Sequence, residues 1–221
     1  MSQERTEAVV LRGVDWSETS RIVTFLTPDR GKVACLAAGA KRAKGGTGAL
    51  LDTFNRLEIV YYWKEGRSVQ KLAETALLDS FGGVKRDLDK TVYAAFPLEL
   101  AYRAAQENEP SQALYAALVH GLGRLAAWGG DARTHVAWQA LCLLRAAGYG
   151  LDFAMDREQS AAPGLRDAVR VLSADGEKCP VPVVSGAVFA FLGRYAAHHL
   201  ETDFRSLRVI REMFGENEGK A

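Results

Sequence analysis

The chain reads as an α+β protein, with a small N-terminal β-barrel followed by a mostly α-helical domain that carries an irregular insert. Three observations predict this class. Residues 7 to about 80 form short apolar runs rich in β-branched and aromatic residues. Turn-forming clusters separate those runs, and after about residue 84 the apolar spacing lengthens to that of helices. The boundaries that follow are 1–80 for the barrel domain and 81–221 for the helical domain, with the insert at about 151–184.

Five strands are expected, in "EAVVLRGVD", "SRIVTFLT", "KVACLAAGA", "FNRLEIVYYWK" and "SVQKLAETALLDSF". "PDRG" at 28–31 joins two of them as a tight hairpin, with Gly31 supplying positive φ. "KGGTG" at 44–48 and "KEGR" at 64–67 mark two more turns. Isolated hairpins are too weak to stand alone, so barrel closure is the economical way to bury these apolar faces. The first long helix covers "VKRDLDKTVYAAFPLELAYRAAQEN", where Pro97 should break or kink it. Ser111 and Asp131 are placed to cap the next two helices, and "SGAVFAFLGRYAAHHLE" and "FRSLRVIREMFGE" supply two more. The stretch 151–184 has no steady period and contains Pro163, Pro180 and Pro182.

The composition is that of a globular protein with a core: 48% hydrophobic, 25% charged, and a net charge of +1 over 221 residues. The charge is unevenly distributed. Residues 1–71 hold 12 Lys and Arg against 8 acids, and the remainder is net negative. Cys35, Cys142 and Cys179 are too few and too scattered for a disulfide framework or a zinc pair. The polar start "MSQERTEAVV" and the absence of a long apolar run argue for a cytoplasmic protein without a membrane span.

No nucleophile elbow, phosphate loop or paired-histidine metal motif occurs. His120, His135, His198 and His199 read as polar residues near helix surfaces. His198 and His199 are adjacent on a helix, so their side chains diverge and cannot share one metal. No catalysis and no cofactor is expected. A hydrolase using His135 or His198 with an acid, and a protein–protein adaptor built on the barrel, remain as alternatives.

Binding reads better than catalysis. "GAKRAKGG" at 39–46 sets Lys41, Arg42 and Lys44 among glycines, and Arg30, Lys32 and Arg56 lie nearby in sequence. Small barrels of the OB type hold single-stranded nucleic acid on a sheet face with help from their loops. Fixed cations replace condensed counterions, and aromatic faces stack on bases. Phe25, Phe54, Tyr61, Tyr62 and Trp63 are the candidate platforms.

The succession Ala8–Arg12, Glu18–Val23, Thr27–Gly31, Gly39–Arg42 and Leu51–Leu57 resembles the N-terminal barrel of the bacterial RecO recombination mediators, and "LLRAAGYGLD" at 143–152 fits their helical part. The resemblance implies an OB-fold, a role in recombinational DNA repair, and binding of single- and double-stranded DNA at the nucleoid. It further implies annealing of complementary strands and recombinase loading, with RecR, onto strands coated by single-strand-binding protein (SSB). Whether RecF takes part is left open. The basic loop, Lys41, Arg42 and Lys44, carries over most directly, then Lys32 and Arg56. A groove for the acidic, apolar SSB tail is expected on the helices bearing Arg124, Arg133 and Arg145. Many relatives hold zinc with four cysteines in the insert. Here Cys179 alone remains in 151–184, too few ligands for a tetrahedral site, so no metal is expected.

Overall fold

The structure, a computed structural model, describes residues 2–42, 47–151 and 186–215. Two compact units divide the chain, one of residues 1–82 with 105–119 and the other of 83–104 with 120–221.

The first unit is built on a closed barrel of five strands: β1 (Ser2–Asp15), β2 (Arg21–Thr27), β3 (Gly31–Ala37), β4 (Arg56–Trp63) and β5 (Val69–Asp79). Their order around the barrel is β1-β2-β3-β5-β4, with β3 and β5 parallel and the other neighbours antiparallel. This five-stranded Greek-key closure is the OB-fold, and closure leaves no free edge for another chain to pair with. Alternation decides what is buried. Val23 and Phe25 of β2, Val33 and Cys35 of β3, and Leu57, Ile59 and Tyr61 of β4 all point into one core.

Strand β1 is longer than its apolar run. Its polar first half pairs with β4 from Ser2↔Trp63 to Val9↔Arg56, and its second half pairs with β2 down to Asp15↔Arg21. A bulge between Val10 and Arg12 lets one strand serve two neighbours. At the "PDRG" turn Gly31 has φ +57°. A β-carbon there would strike the carbonyl oxygens of Gln106 and Glu109. Glycine is therefore required both for the turn and for the approach of segment 105–109.

Six helices lie among the described residues: α1 (Gly82–Lys85), α2 (Leu88–Ala104), α3 (Gln112–Ala127), α4 (Ala132–Ala146), α5 (Gly186–His199) and α6 (Arg205–Phe214). In the second unit α2 packs on α4 and α6, and α4 on α5. Helix α2 runs on through Pro97, so of the expected break or kink the break does not occur. Pro97 is itself buried within α2, and that burial offsets the one helical hydrogen bond it forgoes. Asp131 caps α4 as expected, accepting hydrogen bonds from the backbone N–H of Thr134 at 2.9 Å and its hydroxyl at 2.8 Å. Phe96 meets Phe189 at 5.8 Å and Phe204 at 5.3 Å edge-on, so aromatic contacts join α2, α5 and the start of α6.

Candidate nucleic-acid interface

Two loops come together at one end of the barrel. The β1–β2 connection closes on itself, with the N–H of Trp16 donating to Ser20 O at 3.0 Å and that of Ser17 to the same oxygen at 3.2 Å. The segment after β3 turns at Gly39, where φ is +72°, and Arg42 N–H donates to Gly39 O at 3.1 Å. Lys41 N–H donates to Thr19 O at 3.1 Å and fastens the second loop to the first. This end of the barrel therefore carries Arg21, Lys41 and Arg42, with Arg12 three residues back along β1.

Their charge is only partly neutralised. Lys41 Nζ lies 2.8 Å from Asp15 Oδ2 and Arg21 Nε 3.3 Å from its Oδ1, so one carboxylate serves two cations. The hydrogen bond from Lys41 holds the Asp15 carboxyl below its ordinary range. The pair is exposed, and pairs of this kind contribute little and exchange partners readily. Arg12 and Arg42 are exposed and form no ion pair among the described residues. Lys44 lies outside the described residues, as do Cys179 and nearly all of the insert.

The remaining basic residues expected in the same track sit elsewhere. Strand β3 separates Lys32 from the loop bearing Lys41, and its seven residues span about 23 Å at strand rise. Lys32, the second residue of β3, donates its backbone N–H to Gln106 O at 2.9 Å. Arg30 grips Glu4 with two hydrogen bonds, at 2.7 and 2.6 Å, and its guanidinium lies 3.9 Å from the centre of the Trp63 ring. Tyr61 adds its hydroxyl to Glu4 at 3.0 Å. Arg56 binds Glu7 at 2.6 Å, where the Tyr115 hydroxyl also donates at 3.0 Å. In both clusters the arginine hydrogen bond lowers the carboxyl pKa more than desolvation raises it. Arg30 and Arg56 thus stitch the barrel together.

Of the expected stacking aromatics, Phe25 and Tyr61 are in the barrel core and Phe54 is buried after the 3-10 turn that precedes β4, so none has a face to offer. Trp63 is half-buried beneath Arg30, and half-buried Tyr62 has Lys71 at 5.9 Å from its ring centre. Sequence reasoning missed Trp16, which is 68% exposed. A signal was there: "DWSETS" sets a tryptophan among turn-forming hydroxyl and acidic residues, outside any apolar run.

In the second unit, Arg133 and Arg145 stand at opposite ends of α4, twelve residues or about 18 Å apart at helical rise. Arg124 of α3 stacks on Trp138 at 4.9 Å. The structure does not gather these three into one groove. It forms a different one, a cavity of about 770 Å³ lined by the end of α2, α5 and α6. Half-buried Ala190, Ala197 and Leu207 provide apolar surface there, and Arg103, Arg194, Arg205, Arg208 and Arg211 surround it. All but Arg103 are without an ion pair among the described residues.

His135, expected near a helix surface, is instead fully buried. Its Nε2–H donates to Gly121 O at 2.9 Å, and burial pushes its pKa down to about 4. At Gly121 itself a β-carbon would collide with the Gln139 side chain. His135 is therefore a neutral core residue, and no carboxylate among the described residues pairs with it as a hydrolase would need. Among those residues no cluster of three or more His, Cys, Asp or Glu could hold a metal, and no helix is long and apolar enough to cross a membrane.

The chain matches the family described as Recombination protein O N terminal over residues 1–81, and that described as Recombination protein O C terminal over residues 85–168. It is 35% identical to a DNA repair protein RecO of Salinibacter ruber across 72% of this chain and 60% of that protein. It is 31% identical to the RecO protein of Rhodopirellula baltica across 96% of this chain and 75% of the relative. The RecO protein of Geobacter metallireducens is 37% identical across 57% of this chain and 50% of its own length. The chain thus spans between about half and three quarters of the length of these relatives. With an OB barrel matched by one half of the family description and helices α2 to α4 by the other, the chain belongs to the RecO family of DNA repair proteins.

Proposed function

We propose that the protein binds DNA through its phosphates, single- or double-stranded and without regard to sequence, and anneals complementary strands without catalysing any bond change. In this reading residues 1–80 act as the nucleic-acid domain and 81–221 as the partner-binding domain. The observation that carries it is that Arg21 at the start of β2, and Lys41 and Arg42 on the loop fastened to the β1–β2 turn, gather at one end of an OB barrel, with Arg12 three residues back along β1. Annealing is opposed by phosphate repulsion, and fixed cations lower that cost without reading base edges. Lys44 belongs to the same basic loop, and Lys32 is assigned a secondary place on a longer path.

The helical unit then recruits partners. The acidic, apolar tail of SSB suits the groove of α5 and α6, where apolar surface lies among arginines, better than the dispersed Arg124, Arg133 and Arg145. Loading of a recombinase with RecR onto SSB-coated strands completes the proposal, with RecF as a further partner to test.

Salt dependence of binding to a fluorescein-labelled single strand tests the central claim. Four phosphate contacts give a slope of log K against log salt near −0.7 × 4, or roughly −3. The double variant K41A/R42A should flatten the slope to about half and slow annealing of complementary oligonucleotides. An unchanged slope removes the loop from the interface.

A further inference from the structure

We infer that Trp16 is a base-stacking platform, and that through it this end of the barrel distinguishes unpaired nucleotides from duplex. The inference rests on the reading that the barrel binds DNA, and adds to it a residue and a preference.

The four tryptophans are treated differently by the fold. Trp138 is buried, Trp63 lies under the Arg30 guanidinium, and Trp128 donates its indole N–H to Asp131 O at 3.1 Å. Trp16 is 68% exposed, and among the described residues only its backbone is held, by Ser20 O at 3.0 Å. An indole left in water forgoes the burial that makes tryptophan favourable in proteins. Its surroundings fit a nucleotide. Lys41 Nζ reaches to 3.5 Å from the carbonyl of Ser17, the next residue, and Arg42 follows it. Cations for the phosphates therefore stand beside an aromatic face for the base.

The sheet extends the platform. Val23, Phe25 and Cys35 point into the core, so Ile22 and Leu36 face outward. The register aligns Val14 with Ile22, Ile22 with Leu36, and Leu36 with Lys71. An apolar strip thus runs across the outer surface from beside Trp16 to a lysine three strands away, about 14 Å at strand spacing. Bases can lie on that strip only when unstacked from a partner strand. In a duplex their faces are covered by neighbouring pairs, and the phosphates alone remain for the cations.

The test uses the full chain with a fluorescein-labelled oligothymidylate and a hairpin duplex of equal length, at fixed salt. The variant W16A should bind the single strand about tenfold more weakly, within the range that stacking contributes per base. Duplex affinity and the salt slope should stay within twofold of the parent values, and W16F should recover most of the loss. Intrinsic tryptophan emission should be quenched by oligothymidylate in the parent chain and much less in W16A. Unchanged single-strand binding by W16A, or an equal loss on both probes, overturns the role of Trp16. Absence of DNA binding by the parent chain even at low salt would overturn the DNA-binding reading itself.

Discussion

At the scale of single residues, burial sets what a side chain can do, and His135 shows this most sharply. Within the core its neutral form is favoured, and its pKa of about 4 lies below the ordinary 6.5. The unfolded chain therefore takes up the proton first as pH falls. The stabilisation is complete above about pH 6.5 and is lost progressively as pH drops towards 4, by on the order of 3 kcal/mol over that window. Urea unfolding followed by tryptophan fluorescence at pH 7 and pH 5 checks this. H135Q, which keeps an N–H for Gly121 O, should unfold at nearly the same urea concentration at both pH values, while the parent chain loses stability at pH 5. Equal pH sensitivity in the two proteins would place the titrating group elsewhere. The same burial rule removes Phe25, Phe54 and Tyr61 from any binding surface and leaves Trp16 on it.

At the scale of elements, two loops are pinned to one strand end, and Asp15 is where they meet. As the last residue of β1 it pairs with Arg21 across the sheet and with Lys41 across the loops. A phosphate arriving there must compete with a carboxylate already present. D15N removes the competitor while keeping the side chain's size, so it should tighten single-strand binding about threefold, as expected for release of an exposed ion pair. Anisotropy titration at constant salt reads this directly, and unchanged or weaker binding would detach Asp15 from the interface. The elements themselves were legible to different degrees. The β2–β3 hairpin shows its alternation and its "PDRG" turn openly, and α4 announces its start with Asp131. The first half of β1 was hidden because "SQERTE" has no apolar pattern, and only pairing with β4 makes it a strand. Lys41 and Arg42 were found because they are neighbours in sequence. Arg30 and Arg56 looked equivalent to them, since Glu4 and Glu7, the acids that engage them, are brought close only by barrel closure.

At the scale of the whole molecule, a net charge of +1 hides two separate cationic surfaces, one in each compact unit. The groove arginines run from position 103 to 211 along the chain and share a wall only once α2, α5 and α6 have packed. No local pattern foretells such a convergence. Because barrel loops and groove belong to different units, the two proposed binding activities should separate cleanly by mutation. Reversing charge with R208E/R211E should weaken binding of a labelled peptide bearing the acidic, apolar SSB tail by more than tenfold, since each arginine–carboxylate hydrogen bond is worth roughly 1.5–3 kcal/mol. Single-strand affinity should stay within twofold in that variant, while K41A/R42A should show the opposite profile. Both residues are exposed, so folding should be unaffected, which circular dichroism can verify. If the peptide binds the groove variant as tightly as the parent, the tail docks elsewhere. If DNA binding falls in step with peptide binding, the groove belongs to the nucleic-acid path, and α6 would then be a second phosphate-binding surface.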